Sequence, residues 1–107
     1  MQEIYGYNRE KIVCACIKYK KKYHLFYDYV FGRTHAECIR RFADMDLPTS
    51  KRNMKKEIQG FWTTNGRFVN RKKAKNIALN AGQISPNYDK DVLYSEYISW
   101  YAIPSIF

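Results

Sequence analysis

At 107 residues, with 46% hydrophobic and 17% aromatic side chains, the chain carries too much apolar material for a disordered segment and enough for one domain with its own core. Nineteen Lys and Arg against ten Asp and Glu give a net charge of +9, a field that attracts polyanions: nucleic acid, phosphorylated small molecules or an acidic protein surface. No apolar run approaches the roughly 18 residues of a membrane span, and Met1 to Gly6 lacks the basic-then-apolar order of a signal peptide.

Lys11 to Tyr19 reads as a buried strand, because Ile12 to Ile17 is continuously apolar and rich in small or β-branched residues. Lys20 to Lys22 interrupts it with charge. Tyr23 to Phe31 follows as a second strand, with Leu25, Tyr27, Tyr29 and Phe31 on one face, so the two form a hairpin. Thr34 and Glu37 have the spacing of a capping box, and Ala36, Ile39, Phe42 and Ala43 recur at helical intervals, which predicts a helix over Thr34 to Met45. Thr49 to Lys56 is polar and basic and reads as a loop or exposed edge.

Ile58 to Thr63 has the character of a third strand. Asn65-Gly66 then marks a turn and Arg67 to Val69 a short return segment. Asn70 can cap a second helix whose apolar stripe is Ala74, Ile77, Ala78 and Ala81, and Gly82 supplies its stop. Beyond Pro86, Val92 to Tyr101 is aromatic-rich and fits either a strand or a short helix. No internal repeat or linker divides residues 1–107. The expectation is a single α+β domain: a small antiparallel sheet of three or more strands carrying two helices.

Cys14, Cys16 and Cys38 match no zinc or redox spacing, so no metal and no cofactor is expected. Buried, reduced structural thiols are the reading, which suits the cytoplasm. His35 and Cys38 lie three apart, but no acidic orienter or oxyanion element accompanies them, and there is no phosphate loop or dinucleotide fingerprint. The expected protein binds and does not catalyse.

Two basic clusters carry that expectation. Arg67 leads through Phe68, Val69 and Asn70 into a helix start bearing Arg71, Lys72 and Lys73, where cations oppose the positive end of the helix dipole. A bound anion would compensate them, and Phe61, Trp62 and Phe68 stand nearby to stack on a base, with Thr63 between. The alternative is that the cations reach out into solvent and the aromatics are core. Arg33, His35, Arg40 and Arg41 form the second cluster, about the start and polar side of the first helix; a solvated basic face is the favoured explanation there. The apolar tail Ile98 to Phe107 points to docking on the core or on a second subunit, hence to a homo-oligomer, a dimer or higher.

The run Gln59 to Arg71 (Gly-Phe-Trp-Thr-Thr-Asn-Gly-Arg-Phe-Val at its centre), followed by Ala74, Ile77-Ala78, Ala81 to Ile84 and Leu93-Tyr94-Ser95-Glu96, resembles the phage anti-Thoeris sponges, as do the chain's size and Arg33-Thr34-His35. Lys72 and Lys73 depart from the acidic residues of that pattern, and Tyr97 from an Asp. The resemblance implies a homo-oligomer, a dimer or higher with a hexamer among the options, in the host bacterial cytoplasm, which sequesters cyclic ADP-ribose isomers or cyclic oligonucleotides without cleaving them and so blocks anti-phage defence. Its ligand-binding residues would be Arg33, His35, Arg40, Phe61, Thr63, Arg67, Phe68, Asn70 and Arg71. The residues also fit a basic module for nucleic acid, or an anti-CRISPR-type inhibitor of an acidic protein surface.

Overall fold

The computed structural model describes residues 9–20, 24–45 and 58–98. The basic segment Thr49 to Lys56 and the tail beyond Ile98, which carries the expectation of a homo-oligomer, lie outside them.

The described residues form strands β1 (Ile12–Tyr19) and β2 (Asp28–Gly32), helix α1 (His35–Asp44), strands β3 (Ile58–Thr63) and β4 (Phe68–Asn70), helix α2 (Arg71–Asn80) and a 3-10 turn at Ser95–Tyr97. The four strands make one antiparallel sheet in the order β2-β1-β3-β4. The protein is α+β, as composition and periodicity predict.

Register explains how the continuously apolar β1 serves two faces. Ala15, Ile17 and Tyr19 point with Val30, Phe61 and Val69 into a core closed by Cys38, Phe42, Ala74, Ile77 and Ala78 from the helices. A bulge between Ile12 and Cys14 brings Ile12, three residues before Ala15, onto that same face. Cys14, Cys16 and Lys18 point the other way, beside Tyr29, Phe31, Trp62 and Phe68.

Helix α1 is capped as its sequence predicts. Thr34 Oγ1 accepts from the Glu37 amide at 3.1 Å, while the Glu37 carboxylate reaches one residue further than a standard box, to the Arg33 amide at 2.9 Å. Thr34→Ala is expected to cost about 1 kcal/mol and to lower the melting temperature by roughly 4–8 °C; an unchanged melt would show that the cap contributes nothing.

The inward stripe of α1 differs from the predicted one. His35, Cys38 and Phe42 are buried, whereas Ala36, Ile39 and Ala43 are exposed. The rotation follows from contact with the sheet: Gly32 has no side chain, so α1 approaches until the Cys38 amide and Sγ lie 3.0 Å from where a Cβ on Gly32 would sit. The second strand also begins later than predicted. Leu25 and Phe26 precede it and are 84% and 81% exposed.

The second half follows its local signals closely. Gly66 holds φ +74 in the turn before β4, and Gly82 holds φ +70 after α2, both in the left-handed region that glycine tolerates. Asn70 caps α2 by accepting from the Lys73 amide at 2.8 Å. All three cysteines are buried and free, and burial pushes the Cys14 and Cys38 thiols up to about 12. Such thiols are inert at neutral pH. No described helix is long and apolar enough to cross a membrane.

Candidate functional site

The start of α1, the start of α2 and the segment around the 3-10 turn meet in a cleft of about 430 Å³, lined by Thr34, His35, Ala36, Arg71, Tyr94, Ser95 and Glu96. Each element is held there by a separate bond. The His35 amide donates to Ser95 Oγ at 3.2 Å, and the Leu93 amide donates to the Arg71 carbonyl at 3.0 Å. Tyr88 locks the segment internally: its hydroxyl donates to the Val92 carbonyl at 2.6 Å and accepts from the Tyr94 amide at 3.1 Å.

Arg71 is the cation of the cleft. Its guanidinium lies 5.3 Å from the centroid of the Tyr94 ring and hydrogen-bonds Gln59 Oε1. A guanidinium over an aromatic face, braced from the side, is pre-organised to present its remaining donors to an anion. The first turn of α1 contributes the positive end of a ten-residue helix. Glu96 is exposed at the rim and supplies an acceptor for hydroxyl or amino groups.

His35 forms the buried floor. Its ring packs edge-on against Phe61 at 4.9 Å, and Nε2 lies 2.7 Å from the Gly60 carbonyl oxygen. A carbonyl only accepts, so Nε2 carries the proton. Burial, reinforced by the Arg71 charge, lowers the imidazole pKa to about 4, and the bond to Gly60 and Glu96 only partly oppose this. At neutral pH the ring is therefore an uncharged prop for the cleft.

The other sequence-predicted residues divide among separate places. Phe61 is fully buried in the core, under His35. Thr63 is buried and donates to Glu10 Oε2 at 2.5 Å, and Arg67 grips both oxygens of the same carboxylate at 2.8 and 2.7 Å. The Arg67 bond holds the Glu10 pKa below the usual range, with Lys73 adding to the effect. The negative charge near these cations thus comes in part from the chain itself. Phe68 lies on the sheet face away from the helices, near Tyr29. The Asn70 side chain is engaged in capping. Arg33 and Arg40 are exposed. Arg67, Phe68, Asn70 and Arg71 therefore do not form one wall; of the nine residues, Arg71 and His35 line the cleft.

Tyr94, Ser95 and Glu96 were missed as site residues. The signal for them lies in the resemblance, whose Leu93 to Glu96 segment follows the Arg71 helix start, but nothing local shows that the two meet.

The family model described as phage T4 y16D protein matches residues 11–98, a span from β1 through the 3-10 turn. No curated protein and no solved structure matches the chain.

Proposed function

From the premise that the chain belongs to the phage T4 y16D protein family, we propose that it binds a nucleotide-like anion in the cleft at the start of α1 and acts as a sponge, holding a cyclic nucleotide signal of bacterial defence and releasing it unchanged. The observation that carries the reading is the Arg71–Tyr94 pair set against the helix start. Arg71 and the Ala36 amide in the first turn of α1 take the phosphate, Tyr94 offers its ring to the base, and Glu96 accepts from hydroxyl or exocyclic amino groups. The high positive charge speeds capture of such a ligand. The likeness of the Gln59 to Arg71 and Leu93 to Glu96 stretches to anti-Thoeris sponges makes cyclic ADP-ribose isomers the first probes and cyclic dinucleotides the second.

Isothermal calorimetry with these compounds tests the reading, with the ligand recovered after heat denaturation and checked by mass. Binding with intact recovery is the expected result. Arg71→Ala should weaken affinity by about tenfold or more, the loss of one well-made charged contact. The melting temperature should stay near that of the parent, because Arg71 is only half-buried and the variant keeps the main-chain bond from the Leu93 amide. Absence of heat with every probe removes the reading, and recovery of a cleaved product replaces holding with catalysis.

A further inference from the structure

An antiparallel sheet with helices on one side can leave its other side to water, and the strands then alternate apolar with polar residues. This sheet does not do so. Among the described residues, the face away from the helices carries Tyr29 and Phe31 from β2, Cys14, Cys16 and Lys18 from β1, and Trp62 and Phe68 beyond them. Four of these are aromatic and only Lys18 is charged.

The rings form one braced tract. Trp62 stands edge-on to Tyr29 at 5.0 Å and to Phe31 at 5.3 Å, and Phe68 lies 6.2 Å from Tyr29. Cations flank it at both ends. The Lys18 ammonium sits 4.4 Å from the Tyr27 ring and 5.4 Å from the Phe68 ring. At the other end, Arg41 lines a depression of about 460 Å³ together with Phe31 and Trp62; among the described lining residues none is acidic, and the Arg41 guanidinium lies 3.7 Å from the Glu37 carboxylate beside it. Arg41 is anchored by donating to the Phe31 carbonyl at 2.9 Å.

We infer that this face binds single-stranded nucleic acid, the rings stacking on bases while Lys18 and Arg41 meet the backbone phosphates. Base–aromatic stacking between cationic flanks is the arrangement that sequence-tolerant single-strand binders use. A second copy of the chain is the competing occupant, and the charge decides between them. At +9, two copies brought face to face repel, whereas a polyanion is drawn in. The inference is independent of the cleft, since neither Arg71 nor Tyr94 belongs to this tract.

The test uses a fluorescein-labelled oligothymidylate of about a dozen nucleotides, within the usual site size of such surfaces. Trp100→Phe is the background, so that Trp62 alone reports by its fluorescence. Anisotropy should rise and Trp62 emission should be quenched, with affinity falling as salt rises. Lys18→Gln and, as a second variant, Arg41→Gln should each make the salt slope shallower by about 0.7, with melts confirming that both fold. Arg71→Ala should leave oligonucleotide binding unchanged, which separates this face from the cleft. Binding without Trp62 quenching, or no binding, overturns the inference. So does a dimer in light scattering that Tyr29→Lys dissociates, which would give the face to a second copy.

Discussion

Gly60→Ala is expected to destabilise the protein by about 3 kcal/mol or more, the upper end of what overpacking costs. A Cβ built on Gly60 would lie 2.4 Å from the Val69 carbonyl oxygen and 2.4 Å from Phe68 Cζ. The phenyl ring can swing away, but the carbonyl cannot, because it belongs to the paired strand. Gly60 cannot retreat either: β3 is an interior strand, and Gly60 is in register with Cys16 on one side and Asn70 on the other. Its carbonyl also accepts from His35, so a shift of the backbone would strip the buried imidazole of its partner. Urea unfolding of the variant beside the parent measures the effect. A midpoint indistinguishable from the parent's would mean that the sheet is looser here than its register implies.

The second large effect is acid lability centred on His35. Its pKa in the folded protein is about 4, against about 6.5 for an exposed histidine, so the unfolded chain takes up the proton first as pH falls. Stability from this group is complete above pH 6.5, declines as pH drops through 6 and 5, and is lost below about 4. The linked change is about 3 kcal/mol between neutral pH and pH 4. Glu10, whose pKa is lowered by Arg67, adds loss in the same direction, but only nearer the carboxylate range. The interval from pH 6.5 to 5 therefore isolates the histidine. His35→Gln, which keeps a donor for the Gly60 carbonyl, should give a flat stability profile over that interval where the parent slopes. Parallel profiles in chemical denaturation would show that the imidazole is wetter than its burial indicates.

Much of the fold was legible because its signals are local. The Thr34 and Asn70 caps, the glycines that close the β4 turn and α2, and the bounds of β1 and β3 each follow from neighbours within a few residues. Where sequence reasoning went astray, a distant partner had overridden the local pattern. Ile39 fits an apolar stripe by periodicity, yet it is 49% exposed, because the absent side chain of Gly32 and the carbonyl of Gly60 turn α1 onto Cys38 and His35. Leu25 fits an alternating strand, but ladder pairing begins only at Asp28, opposite Tyr19.

The candidate site divides along the same line. Hydrophobic periodicity by itself marked an α+β fold, composition by itself fixed the net charge of +9, and spacing by itself marked the starts of both helices, because periodicity, caps and net charge are properties of short segments or of the whole composition. Only the tertiary structure decided which marked residues work together. It sent Arg67 to Glu10, Phe68 to the sheet face away from the helices and Arg71 to Tyr94. Residues 67 to 71 run along a strand and into a helix, so neighbouring side chains leave on opposite faces, and what each one meets is set by strand register and by chain that returns more than twenty residues later.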